Sequence, residues 1–510
     1  MTLHQEFIKV AKKKGDKLAI IDRTTNRRVT YARSLVASLI LANKIKKYED
    51  DFIGIMIPTS AGAMLSIFGV LTAGKTPVMI NYSTGAARNA KYAQKKCGFK
   101  TIITSKSLLD KIGCPYIDYM VFIEDVMKSI TLFDKIKAVL KAKLPVSILQ
   151  NLVHKGSDDD NVVIMFTSGS EKDPKAVQLT HRNIGSNVRD IQVVLEIKDE
   201  DVMLANLPLF HVFGHNTNFW LPLLSGLSVV TYANPLEYRT ISNIVREEEV
   251  TLMVGTPSFF LGYLRQSEPG DYATIRIAVT GADKAPNSLR RSFMDKHNVQ
   301  LYEGYGATET SPVISTNTPS ANKPGSVGKP LPSVQVKIVD VTTGNVLTQG
   351  QEGKILVKGD LVMKGYLDDL EETSLRIQDG WYETGDMGVL DQEGYLWHRG
   401  RLKRFVKIGG EMVSLVRIES VLNELLPTDI ECCVVEIPDA VKGAKIVVAV
   451  SKEVDQNRLM KALSEKLPSI ALPKQFLVYG DLPKMSSGKI DFRTITEKVR
   501  GQFLDKDFLV

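Results

Sequence analysis

The chain has 510 residues, more than one hydrophobic core normally supports, so two or more domains are expected. Its 44% hydrophobic and 24% charged residues, without a low-complexity tract, exclude a disordered or fibrous chain. A net charge of +7 is modest for this length, and no basic stripe with interleaved aromatics appears, which argues against nucleic acid as a partner.

From the amino end, Met1-Thr2-Leu3-His4-Gln5-Glu6 lacks the basic-then-apolar order of a signal peptide. Short β-branched runs then alternate with segments of helical period: Phe52 to Ile57, Thr101 to Thr104, Val162 to Phe166, Ser228 to Tyr232, Thr251 to Val254 and Arg276 to Thr280. Strands separated by helices predict an α/β fold with largely parallel sheets. Between them, the segment from Leu132 to Leu144 places Phe133, Ile136, Leu140 and Leu144 at helical spacing, flanked by Lys135, Lys137, Lys141 and Lys143. Two readings stay open: a surface helix packed on its own domain, or a basic amphipathic helix in weak peripheral contact with an anionic membrane or an acidic protein. The apolar stretch nearest to a membrane span, Phe219 to Val230, is short and broken by Pro222 and Gly226.

From Gly325 the pattern changes to short strands with close turns, such as Val334 to Val339 and Lys354 to Lys358, which predicts a small β subdomain over about 325–400. Beyond residue 400, strands near Glu431 to Ile437 and Ile446 to Val450 and a helix near Gln456 to Lys466 predict a smaller α+β unit over 401–510. Cys97, Cys114, Cys432 and Cys433 show no metal spacing, and the adjacent pair lies in an apolar run. Free thiols in a reducing, cytoplasmic setting are expected.

The most informative stretch is Thr167-Ser168-Gly169-Ser170-Glu171-Lys172-Asp173-Pro174-Lys175, directly after a predicted strand. Glycine lets successive N–H groups converge on one point, hydroxyls add donors, and Lys175 adds a point charge, a combination suited to a polyphosphate. The Walker spacing is absent, which excludes a P-loop nucleotidase. Four further motifs follow: Gly304-Tyr305-Gly306-Ala307-Thr308-Glu309, Trp381-Tyr382-Glu383-Thr384-Gly385-Asp386, Gly400-Arg401-Leu402-Lys403 and Ser487-Gly488-Lys489. Read alone, each fits a surface turn or a solvated charge. In this order over residues 20 to 495, the five resemble the adenylate-forming superfamily of acyl-CoA synthetases, luciferases and peptide-synthetase adenylation domains.

That resemblance implies a large amino-terminal domain over 1–400 and a mobile lid over 401–510 hinged at Lys403. It implies ATP and Mg²⁺ as cofactors. Thr167, Ser168, Gly169, Ser170 and Lys175 would hold the β and γ phosphates, although Glu171, Lys172 and Ala176 depart from the commoner Thr-Gly and Gly. Tyr305, within Gly304-Tyr305-Gly306, would stack on adenine, with Gly281 and Ala282 on the adenine side. Thr308 would donate to the α-phosphate and Glu309 would ligate Mg²⁺. Asp386 and Arg401 would take the ribose, and Lys489 would bridge carboxylate and α-phosphate. His211 matches a position near the acyl carboxylate, and Phe213, Trp220, Gly255 and Phe259 are candidates for an apolar acyl pocket.

The string from Lys403 to Leu415, with Arg404 where most relatives are acidic, resembles the acyl-ACP synthetase half of the bifunctional 2-acylglycerophosphoethanolamine acyltransferases. The resemblance thus implies fatty acid activation and transfer to the phosphopantetheine of acyl carrier protein, without an acyltransferase domain. His154 and Asp159 have HxxxxD spacing but lie in a polar linker. The alternatives are an acyl-CoA synthetase with CoA as acceptor, and a non-catalytic acyl- or adenylate-binding scaffold. Acyl chain length and oligomeric state are not legible in the sequence.

Overall fold

A computed structural model describes the chain except for residues 168–173, 409–410, 428, 440–442, 485–489 and 508–510, and except for the side chains of 407, 412 and 504–507. Two large sheets carry the strands of the first 330 residues. Among the described residues, one sheet has nine strands and the other seven. Their centres are parallel: Val202–Ala205, Leu252–Gly255, Ile277–Thr280 and Leu301–Gly306 lie side by side in the first sheet, and Phe52–Met56, Thr76–Met79 and Ile102–Thr104 in the second. Antiparallel strands close the edges, as where Asn161–Phe166 pairs with Ala176–Thr180. The expectation of an α/β fold holds, with mixed rather than purely parallel sheets.

Helices cover both sheets because their sequences are apolar on the faces they bury. Ala61–Thr72 is apolar almost all round and buried along nearly its whole length, capped by the Ser60 hydroxyl, which accepts from Ala63 N at 3.2 Å. Short strands follow from Gln335–Val339 to Leu396–Arg401 as an antiparallel sheet. In that sheet Asp386 and Arg401 are register partners, so two residues fifteen apart in sequence become neighbours.

Past residue 407 the chain builds cores that share no residue with the first. Ile418 and Leu422 pack against Val434, Ile446 and Val448, while Val435 and Val447 meet Ile495 and Val499 on the opposite face of a three-stranded sheet. Cys432 and Cys433, one on each face, are buried there as expected, and all four cysteines are free thiols.

Candidate active site

A cleft of about 3300 Å³ opens at the carboxyl ends of the parallel strands and runs to residues beyond 400. This is where sheets of this kind bind ligands. Tyr305 leaves the end of Leu301–Gly306, and Gly281 follows Ile277–Thr280 with its N–H donating to Gly255 O at 3.1 Å. Gly306 is required by space: a Cβ there would sit 1.7 Å from Pro312 O. The turn that follows, Thr308–Thr310, is pinned by Thr310, whose hydroxyl accepts from Ala307 N at 3.0 Å and donates to Pro312 O at 2.9 Å. Met363 N donates to Glu309 O at 2.8 Å, so the side chains of Thr308 and Glu309 are presented from a fixed backbone.

Two polar corners result. In one, the Tyr305 hydroxyl donates to Asp386 Oδ2 at 2.6 Å, and His398 Nε2 and Arg401 Nε lie 3.7 and 3.6 Å from Oδ1. Asp386 is 5% exposed, yet its Oδ1 has no hydrogen bond. Burial acts to raise its pKa, but His398, Arg401 and the Tyr305 hydroxyl outweigh it and hold the carboxyl below its usual value. A buried ionised acceptor with a vacant lone pair fits a pair of hydroxyl donors such as those of a ribose. The Tyr305 ring also lies 5.1 Å from that of His398.

In the second corner the Tyr366 hydroxyl donates to Glu309 Oε1 at 2.9 Å, and Lys175 Nζ sits 4.8 Å over the Tyr366 ring while pairing with Glu372. Arg376 Nε meets the same Glu372 at 3.1 Å. Thr167 and Lys175 close the neck of the loop between the two antiparallel strands, Thr167 N donating to Lys175 O at 3.0 Å. Ser168, Gly169, Ser170 and Lys489 lie outside the described residues. No group of three or more metal-capable side chains occurs among the described residues. Mg²⁺ is commonly held by one or two carboxylates together with substrate phosphates, so the Glu309 carboxylate at the cleft lining fits it.

One wall of the cleft is apolar. Leu252 and Val254 pair in register with Ile277 and Val279, and with Met203 they line it together with Phe213 and Phe259. His211 lines it too, capping the short helix Val212–His215 with its ring 4.5 Å from that of Phe210. Two expected pocket residues are elsewhere. Trp220 ends a turn of π-helix, Asn216–Trp220, that directs it into the core edge-on to Phe68, with ring centres 5.4 Å apart. Gly255 lies beneath the Phe260 ring rather than on the cleft wall. Sequence reasoning missed Tyr366, His398, Glu372 and Arg376; of these, His398 lies two residues before the quoted Gly400-Arg401-Leu402-Lys403.

Lys403 lies in the turn Leu402–Arg404 at the edge of the cleft. Arg404 next to it is 6% exposed, ion-paired with Glu419 and 4.8 Å over the Phe492 ring. Glu419 Oε1 also accepts from Val434 N at 2.8 Å. Arg404, one residue of the string that resembles acyl-ACP synthetases, is thus paired inside the carboxy-terminal unit.

Residues 7–367 match the AMP-binding enzyme family model, and residues 417–489 match the AMP-binding enzyme C-terminal domain. The chain belongs to the AMP-binding enzyme family. It is 28% identical to the long-chain-fatty-acid–CoA ligase of Bacillus subtilis (strain 168), covering 91% of this chain and 88% of that protein. It is 27% identical to the long-chain-fatty-acid–CoA ligase FadD13 of Mycobacterium tuberculosis (strain CDC 1551 / Oshkosh), over 92% of this chain and 93% of that one. ATP-bound MatB from Rhodopseudomonas palustris shares the fold, with a TM-score of 0.84 at 23% identity over 98% of this chain and 99% of that chain. As an AMP-binding enzyme the chain has the family's large α/β domain and smaller C-terminal domain, and among the described residues no helix is long and apolar enough to cross a membrane.

Proposed function

We propose that this AMP-binding enzyme is an ATP- and Mg²⁺-dependent ligase that joins a fatty acid to CoA through an acyl-adenylate. The observation that carries the reading is one cleft holding two polar corners of different chemistry beside an apolar wall of Met203, Leu252, Val254, Ile277 and Val279. Kinship to long-chain-fatty-acid–CoA ligases supports CoA over carrier protein as acceptor.

In the first half-reaction a carboxylate oxygen attacks the α-phosphorus and the bond to pyrophosphate breaks. Asp386 and Arg401 hold the ribose and the Tyr305 ring flanks the base. Thr308 and Lys175 give donors and charge to the phosphates, with Ser168, Gly169 and Ser170 as further donors. Mg²⁺, held by Glu309, neutralises phosphate charge when bound. Lys489 offsets the repulsion between carboxylate and α-phosphate, a requirement of any approach of two anions. In the second half-reaction a thiolate attacks the acyl carbonyl and AMP leaves. Rotation about Lys403 would withdraw Lys489 and admit the thiol, so one nucleotide pocket serves two incompatible steps.

The test supplies the purified protein with ATP, Mg²⁺ and a saturated fatty acid, and with CoA or holo-acyl carrier protein as acceptor. Acyl-CoA as the main product is expected. Acyl carrier protein thioester without acyl-CoA would restore the carrier-protein reading.

A further inference from the structure

The helix Leu132–Lys143 contributes nothing to the cleft, whose lining passes from Ile112 directly to Thr167. Its inner side is held in place. Ala138 is buried, Lys44 Nζ meets Asp134 Oδ2 at 2.8 Å, and Lys12 Nζ donates to Ala142 O at 2.8 Å. Its outer side is uncovered: Leu132 and Phe133 are 73% and 72% exposed, Ile136 50% and Leu140 61%. A contiguous apolar patch of this size is unusual on a soluble surface and marks an interaction site. The following helix, Val146–Leu152, extends it with exposed Ile148 and Leu152.

The charge pattern decides the partner. At about 100° per residue, Leu132, Ile136, Leu140, Phe133 and Leu144 form one stripe, with Lys137 and Lys141 along one border, Lys135 along the other and Lys143 within it at the last turn. Phe133, Ile136, Leu140 and Leu144 enclose a shallow groove of about 370 Å³ with Lys137 and Lys141 at its rim. Lys128, Lys135, Lys137 and Lys143 are exposed. Partial burial first, and then the neighbouring Lys137 and Lys46 ammonium groups, lower the Lys141 pKa. Between residues 126 and 157 the sole carboxylate is Asp134, already engaged by Lys44 and by Thr131 N at 2.9 Å. An apolar stripe bordered on both sides by lysines is the geometry of a helix lying flat in an anionic bilayer interface. An acidic carrier protein seated here would dock away from the cleft where its thiol must react.

We propose that this face is a docking surface for anionic lipid bilayers, with Leu132, Phe133, Ile136 and Leu140 entering the boundary between headgroups and acyl chains, and the lysines facing acidic headgroups. The proposal stands apart from the ligase reading, because binding is measured without turnover. The experiment is co-sedimentation of the full chain with vesicles of phosphatidylcholine alone or with phosphatidylglycerol. The wild type is expected to partition onto the anionic vesicles and to be released by high salt. Phe133→Ser/Leu140→Ser and Lys135→Gln/Lys137→Gln/Lys143→Gln should each lower partitioning at least ~10-fold, with unfolding midpoints near that of the wild type because every altered side chain is exposed. Wild-type protein left in the supernatant with both compositions would overturn the proposal. So would variants that bind as the wild type does, or a wild-type dimer that Phe133→Ser/Leu140→Ser converts to monomer without any vesicle binding.

Discussion

Tyr305 and Asp386 show what sequence reading reaches at the level of single residues and where it stops. Their motifs identify them separately, one as a ring for the base and the other as an acceptor for the ribose. Only the fold shows that the phenol donates to the carboxylate and so presets it, leaving Oδ1 for a ligand. Asp386→Asn replaces part of that acceptor with a donor, and the KM for ATP is expected to rise about tenfold or more, the scale of one or two lost hydrogen bonds to a charged group. An unchanged KM would remove Asp386 from the ribose site. Glu309 is likewise set by Tyr366. Glu309→Gln should lower Mg²⁺-dependent adenylate formation by roughly 10² or more, and full activity at low Mg²⁺ would contradict its role. Trp220 marks the limit of this kind of reading. Its apolar surroundings fit a pocket and a core equally well, and the π-helical turn that sends it to the core leaves no signal in residue type.

Among the elements, the strands and helices were largely legible because hydrophobic period and turn residues mark them. The expected runs at Val162 to Phe166, Arg276 to Thr280 and Lys354 to Lys358 each match a strand to within a residue. The apolar wall was not legible, since Met203, Leu252, Val254, Ile277 and Val279 are indistinguishable from core until register aligns them on the cleft. Nor was the role of Arg404. In the sequence it is only one residue of a string that resembles acyl-ACP synthetases, whereas in the fold its charge pairs with Glu419 inside the unit. Arg404→Ala leaves that carboxylate without its buried partner, so the carboxy-terminal unit should lose about 3 kcal/mol in denaturant unfolding, with the choice of thiol acceptor unchanged. A variant of normal stability that switched acceptor would reverse this assignment.

For the whole molecule, several histidines are buried as neutral rings and set its tolerance of acid. Burial lowers His4 to about 4 and His215 to about 3. Unfolded, each takes up a proton below about pH 6.5. The unfolded state therefore binds more protons than the folded state as pH falls from about 6.5 toward 4. Stability should drop over that window by about 1.4 kcal/mol per pH unit for each ring, and these rings should contribute nothing above it. Thermal unfolding followed from about pH 7 to pH 5 checks the sign; a Tm that stays flat would contradict it. On the proposed function, the cleft joins a carboxylic acid to AMP before any thiol arrives. Exchange of labelled pyrophosphate into ATP, measured with and without a saturated fatty acid and with no thiol present, tests it most directly. Exchange is expected to require both the acid and Mg²⁺ and to be lost in Lys489→Ala. ATP turnover indifferent to the acid, or an absence of exchange with fatty acids of every chain length, would contradict it.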